Sequence, residues 1–348
     1  MTITPAQKNL GFALQLDENT ELPSSARIKL VEKQMPTLAP GQVLVKMLAS
    51  PVNPSDLVYL LGKYGVPPKN DAYVGFEGVG IVEDANAGLY GKWLKGKRVA
   101  VSAQPGIDGV WAKYAVTKAN YCLPVRDDIS DEQAATLIVN PCTSVCMVDR
   151  AIELNAKAIV INAGASQVGK GAIRYAQLKN IKTIATVRSD ANKKVLEELG
   201  ADCVLNIQDE HYQTDLKAAC KALKATVLLD AVAAEDTPTV LKCMPKGSNA
   251  IVYGRLTETY DPLGGLFSVA DVIFRDIRIE GFWLATYIGK ANPLKVLALS
   301  KKVQKLFAQG DFNTDIYATC NFKEFPALID HYAQHKSDGK VILKPNDS

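Results

Sequence analysis

The sequence predicts an α/β chain in which a β-rich domain accompanies a doubly wound, parallel, six-stranded sheet. Three observations carry that prediction. Residues 25–125 read as short strands broken by Gly and Pro. From Asp131 onward, apolar strands alternate with helical segments of about 10 to 15 residues, as βαβ units require. Between the first strand and first helix of that region lies a glycine turn, Asn162–Lys170.

In the front part, the strand candidates are Ile28–Glu32, Gln42–Leu48, Gly78–Glu83, Arg98–Ser102 and Gly109–Val116. Asp131–Leu137 has helical composition. The sheet of the second part is then built from Ala158–Asn162, Thr183–Val187, Cys203–Asn206, Thr226–Asp230, Ala250–Tyr253 and Ile277–Leu284. Helices are expected at Gln167–Leu178 and at Asp190–Leu199, the latter closed by Gly200, where a left-handed C-cap belongs. After Pro293, Val296, Leu299, Val303, Leu306 and Phe307 share one stripe of a helix, which suits core packing or a subunit contact. A strand at Lys340–Leu343 ends the chain. The domains are accordingly drawn as 1–130 with 296–348, and 131–295.

Length and composition narrow the function. The 348 residues suit two cores, and 47% apolar against 22% charged residues is ordinary globular composition. A net charge of +3 is too small to imply a polyanion, so no nucleic-acid partner is expected. The cluster Lys92, Lys95, Lys97 and Arg98 reads as a solvated turn. No apolar run is long enough to span a bilayer, and the first 20 residues lack a secretory pattern, so a cytoplasmic protein without a membrane partner is expected. The seven scattered cysteines are expected to be free thiols.

The turn Gly164-Ala165-Ser166-Gln167-Val168-Gly169 follows a strand and opens a helix, which lets backbone N–H groups meet a pyrophosphate at the helix N-terminus. Ser166 replaces the middle glycine of the usual pattern, so context rather than the motif supports the reading. An acid that would bind an NAD ribose belongs at the end of the second strand. There the chain has Arg188, 19 residues after Gly169, and a guanidinium matches a 2′-phosphate where a carboxylate would repel it. NADPH is therefore the expected cofactor. Asp190 could take ribose hydroxyls or cap the next helix, and the cap is the favoured role.

Val52-Asn53-Pro54-Ser55-Asp56, Gly62-Lys63-Tyr64-Gly65, Gly75-Phe76-Glu77-Gly78-Val79-Gly80, Asn140-Pro141-Cys142-Thr143 and Gly281-Phe282-Trp283-Leu284 occur in that order. With them the chain resembles the medium-chain dehydrogenase/reductase superfamily, and within it the zinc-free enoyl-thioester reductases and NADPH:quinone oxidoreductases. The resemblance spans residues 25 to 344. It implies a GroES-like catalytic domain completed by the C-terminal strand, around an inserted Rossmann cofactor domain. It carries the nicotinamide pocket to Asn140 and Thr143 at the domain junction, to Tyr253 and Gly254, and to Phe282, Trp283 and Leu284. It also carries a position near the cofactor to Lys344, and it implies a homodimer paired through the sixth strand.

Residue types argue against zinc. The first 140 residues hold one cysteine, Cys122, and no histidine, and no C-x-x-C occurs anywhere. Where zinc-dependent relatives have Cys and His, this chain has Asn53 and Phe76. Without a Lewis acid the acceptor must supply its own electrophilicity, as a conjugated carbonyl or a quinone does, and a donor must meet the charge that develops on oxygen. Tyr64 is the candidate donor and Tyr59 a competing phenol; Tyr64 and Asn53 are the candidate catalytic residues. Three classes follow: an NADPH-dependent 2-enoyl reductase acting on a small molecule, a quinone or alkenal reductase, and a non-catalytic NADPH-binding regulator.

Overall fold

The computed structural model describes residues 8–103, 108–256 and 266–347. The chain divides into two compact units, Met1–Val139 with Pro293–Ser348, and Asn140–Asn292.

In the first unit a seven-stranded sheet is ordered Ile316–Cys320, Lys340–Leu343, Gln42–Pro51, Glu77–Asn86, Arg98–Ser102 and Cys122–Pro124, with Tyr114–Lys118 also paired to Gln42–Pro51. The C-terminal strand joins antiparallel to Gln42–Pro51, with Ile342 opposite Pro51 and Leu343 opposite Ser50, so this unit is closed by the far end of the chain. A hairpin of Lys8–Leu14 and Ile28–Gln34 stands beside it. The core is aliphatic and aromatic, with Val43, Val45, Met47, Val99, Val101, Trp111 and Phe325 at most 0% exposed.

The second unit is a six-stranded parallel sheet ordered Cys203–Asn206, Lys182–Val187, Ala158–Ile161, Ala225–Asp230, Asn249–Val252 and Arg278–Gly281. In sequence terms the order is 3-2-1-4-5-6, the doubly wound arrangement, whose reversal point lies between the first and fourth strands. Strands buried on both faces explain the continuous apolar runs: Ala158, Ile159, Val160 and Ile161 are all 0% exposed.

The expected six strands are all present, with ends displaced by a few residues. The boundary between the units falls after Val139 rather than after residue 130. The reason is visible in the contacts: Asp131 pairs with Arg98 at 2.5 Å, and the Glu77 carboxylate accepts the amides of Ile138 and Val139 at 3.0 and 2.9 Å, which ties this stretch to the β-rich unit. The other boundary lies before Pro293 rather than after residue 295. The helices that were not anticipated include Pro54–Leu60, Gly88–Leu94, Val139–Glu153, Leu284–Lys290 and Phe325–Gln334. Each of these contains or begins with Pro or Gly, which the sequence reading takes as breakers, although Pro at the first helical positions costs no hydrogen bond.

Candidate functional site

In the second unit, the strand Ala158–Ile161 ends in Asn162, and the chain turns through Ala163, whose φ is +48°. A Cβ on Gly169 would lie 2.5 Å from the Gly164 carbonyl oxygen, so the helix Gln167–Leu178 can begin this close to the turn only with glycine there. Ser166, which interrupts the glycine pattern, is the N-cap of that helix: its hydroxyl accepts the Gly169 amide at 3.1 Å. The turn therefore needs a capping side chain at this point more than a third glycine. A helix start seated against a strand end is a cradle for an anionic group.

Other elements are fastened to the same sheet edge. Ser144 donates to the Val168 carbonyl at 2.9 Å, which ties the helix Val139–Glu153, with its buried Asn140 and Thr143, to the start of the glycine-turn helix. Asn162 donates to Asp230 and Asp236 at 2.5 and 2.8 Å and accepts the Ala231 amide at 2.6 Å, so the first and fourth strand ends are locked together. Tyr253 donates its amide to the Asp230 carbonyl, and a Cβ on Gly254 would stand 2.7 Å from the Ala231 oxygen. The Tyr253 hydroxyl is buried beside Ser166 and makes no hydrogen bond of normal geometry; burial raises its pKa. Phe282 donates its amide to the Val252 carbonyl at 2.8 Å, Trp283 is 37% exposed, and Leu284 is half-buried where the next helix begins. Gly164 to Gly169, Asn140, Thr143, Tyr253, Gly254 and Phe282 to Leu284 thus share one unit and one sheet edge.

Arg188 follows the second strand directly, exposed and without an ion pair to any described residue. Its neighbour Asp190 is engaged: Lys193 lies 2.8 Å away and Asn206 donates at 3.0 Å, and these partners hold its carboxyl below its ordinary range. The cap expected of Asp190 falls instead to Ser189, whose hydroxyl accepts the Ala191 amide. A narrow glycine turn at a helix start and an orphaned buried hydroxyl beside it fit a dinucleotide.

In the first unit, Tyr64 follows Gly62, whose φ is +69°, and stands half-buried with its ring 5.1 Å from that of Phe76. Gly75 sets Phe76: its φ is +94°, and a Cβ there would lie 2.4 Å from the Trp111 ring. Tyr59, the competing phenol, is buried, and its hydroxyl accepts the Lys69 amide at 3.2 Å.

Asn53 is wholly buried. Its amide donates to Glu77 at 2.8 Å and accepts from the Lys340 ammonium at 2.6 Å, while its backbone N–H donates to Asp56 at 2.7 Å. Lys340 also donates to the Val52 carbonyl and to the Tyr332 hydroxyl, each at 2.9 Å. Burial pushes Asp56 up to about 7 and Lys340 down to about 8, the latter opposed by the Glu77 and Asp56 charges; burial likewise raises Glu77. This cluster escaped the sequence reading except for Asn53. The one signal for it is Asp56 three residues after Asn53, the spacing of a capping box; a lysine buried in a terminal strand announces nothing.

The cluster also bears on metal. The Asn53 amide oxygen already accepts the Lys340 ammonium at 2.6 Å, a charge that would repel a divalent ion bound there, and Phe76 offers no ligand atom, so the residues here do not fit zinc. Lys344, expected near the cofactor, has its ammonium 2.5 Å from Glu132. No helix among the described residues is long and apolar enough to cross a membrane.

Comparison with known proteins agrees with this architecture. A family profile described as an alcohol dehydrogenase GroES-like domain matches residues 39–127, and one described as a zinc-binding dehydrogenase matches residues 168–302. The mitochondrial enoyl-[acyl-carrier-protein] reductase of Rattus norvegicus is 30% identical over 309 residues, covering 87% of this chain and 81% of that one. The Bos taurus protein of the same name is 28% identical over 322 residues, covering 91% and 84%. A solved structure from Mesorhizobium loti, provisionally assigned as an NADPH:quinone reductase, superposes with a TM-score of 0.89 at 32% identity, over 99% of this chain and 100% of that one. The mitochondrial 2-enoyl thioester reductase heterodimer of Candida tropicalis shares the fold, with a TM-score of 0.78 at 20% identity over 97% and 99%. The chain belongs to the medium-chain dehydrogenase/reductase superfamily, an oxidoreductase related to its enoyl reductases and quinone reductases.

Proposed function

We propose that this oxidoreductase uses NADPH to reduce a conjugated carbonyl acceptor, a 2-enoyl thioester or a related α,β-unsaturated carbonyl, without zinc. The observation that carries the reading is Tyr64, a half-buried phenol braced on Phe76, while the hydroxyl of its neighbour Tyr59 is committed to the backbone. When bound, NADPH supplies hydride. Asn140, Thr143, Tyr253, Gly254 and the Phe282–Leu284 stretch hold the nicotinamide end, the Gly164–Gly169 turn holds the pyrophosphate, and Arg188 holds the 2′-phosphate. Tyr64 donates a hydrogen bond to the acceptor oxygen as negative charge builds there, or delivers the proton. Asn53, its amide saturated by Glu77 and Lys340, serves as a positioning residue. Lys344 at the cofactor belongs to the same reading only if its ammonium leaves Glu132.

A quinone acceptor is the second reading, favoured by the near-complete likeness to the Mesorhizobium loti protein. Turnover of NADPH with a panel of enoyl thioesters, alkenals and quinones, run with chelator present, separates the two. Consumption of none of them would leave a binding protein.

Arg188→Ala tests the cofactor. Loss of a charge-assisted contact should weaken NADPH binding by about 1.5 to 3 kcal/mol and NADH binding hardly at all, measured by fluorescence titration. Equal affinity of the unmutated protein for both cofactors sinks the NADPH assignment.

A homodimer completes the proposal. The strand Arg278–Gly281 ends its sheet, and Val269, Ile273 and Phe274 nearby in the chain are 71%, 63% and 73% exposed, an edge and an apolar surface that a second copy would cover. Light scattering that returns the mass of one chain at working concentration would exclude it. No disulfide joins any of the seven cysteines, all of them among the described residues, which suits the reducing cytoplasm; fractionation of the source cells can check it.

A further inference from the structure

The carboxyl of Asp56 is 2% exposed and sits in none of the roles assigned above. Its two oxygens hold backbone groups far apart in sequence: one accepts the Asn53 amide at 2.7 Å, the other the Phe76 amide at 3.0 Å. One side chain thereby closes the segment 53–76 at both ends. Between those ends run the helix Pro54–Leu60 and a long irregular stretch that carries Tyr64.

That stretch is fastened unevenly. Its far part is tied to the hairpin strand, with the Asp71 amide donating to Leu14 and the Leu14 amide to Ala72, and to the Tyr59 hydroxyl through Lys69. The part bearing Tyr64 is fastened behind by the Gly62 and Lys63 amides, which donate to Tyr59 and Val58. The Phe76 ring packs against Tyr64 at 5.1 Å with an interplanar angle of 33°, and against Tyr59 at 5.3 Å and 64°. Where Phe76 stands is set by Gly75 and by the Asp56 carboxyl.

We propose that Asp56 is a positioning residue for Tyr64: by holding the Phe76 amide against the start of the Pro54–Leu60 helix, it fixes the aromatic platform on which the Tyr64 phenol is aimed at the acceptor. This rests on the assignment of Tyr64 as the donor. An asparagine has the same shape but only one acceptor oxygen, so Asp56→Asn must release one of the two amides or set an N–H against it.

The test is a double-mutant cycle on the full chain, with crotonyl thioester as acceptor. Asp56→Asn should lower kcat between about tenfold and a hundredfold, the scale of a misplaced catalytic group, while the KM for NADPH stays within about twofold. In a Tyr64→Phe background the same change should cost less than about twofold, because there is no longer a phenol to aim. An equal loss in both backgrounds overturns the positioning and leaves the Tyr64 assignment standing. No loss in Tyr64→Phe itself overturns both. Should Asp56→Asn not fold, Phe76→Leu removes the platform and keeps the carboxyl; a loss present with Tyr64 and absent without it supports the proposal, and equal losses overturn it.

Discussion

Replacing Tyr64 by Phe should lower kcat/KM for an enoyl acceptor about a hundredfold or more, the scale of one lost oxyanion donor or proton-transfer group. Folding and NADPH affinity should hardly change, because the ring that packs on Phe76 is retained. Tyr59→Phe is the control with an opposite profile. Its hydroxyl is spent on the Lys69 amide, so that variant should lose about 1 kcal/mol of stability and little activity. Acceptors should also differ. A quinone ring takes up electron density without much help, so its reduction should be less sensitive to Tyr64 than that of an enoyl thioester. Steady-state rates on both acceptors decide it: full activity of Tyr64→Phe on every acceptor reduced by the parent would make Tyr64 a packing residue and leave the proton to water or another group.

The cofactor half of this protein is legible in sequence because its chemistry is local. A strand, a glycine turn and a helix lie within one continuous run, and Arg188 follows at the end of the next strand. Even the departure from the motif is local, since Ser166 is an N-cap whose partner Gly169 is three residues away. The acceptor half is legible only in part. Tyr64 can be picked out by resemblance, but what separates it from Tyr59 is visible only in the structure, where Tyr59 is 4% exposed and Tyr64 half-buried. The cluster behind Asn53 is legible only in the spacing of Asn53 and Asp56. It joins residues 53, 56 and 77 to residues 332 and 340 through the antiparallel pairing of the last strand with Gln42–Pro51, and no periodicity reports such a pairing. Zinc illustrates the same difference: missing ligands can be counted in sequence, whereas the ammonium that opposes a cation at Asn53 arrives from the other end of the chain.

The largest effect on stability is expected at Glu77. Its carboxylate is wholly buried, accepts the Asn53 amide at 2.8 Å and the Ile138 and Val139 amides at 3.0 and 2.9 Å, and shares the interior with the Lys340 ammonium. Glu77→Ala strands two backbone donors and removes a counter-charge from a buried cation, which should cost about 3 to 5 kcal/mol. Protonation cannot relieve it cheaply from the remaining side: Asp56, raised to about 7 by burial, is neutral through much of the acid range and offers Lys340 little charge there. The sign with pH follows from the same shifts. Because Asp56 holds its proton up to about 7 in the folded chain and releases it near 3.8 when unfolded, its contribution falls as pH rises through that window. Lys340, lowered from 10.5 to about 8, works the other way, restoring stability as pH rises between those values. In Glu77→Ala the Lys340 shift should deepen, so the variant should be least stable in acid relative to the parent and recover toward high pH. Adding Lys340→Met to Glu77→Gln removes both charges together and should regain much of the loss, as replacement of a whole buried pair does where removal of one member does not. Denaturant melts across pH measure all three variants. A Glu77→Ala midpoint within about 1 kcal/mol of the parent at pH 6 would mean that water reaches the Lys340 ammonium and that the cluster is not the dry, hydrogen-bonded centre its distances describe.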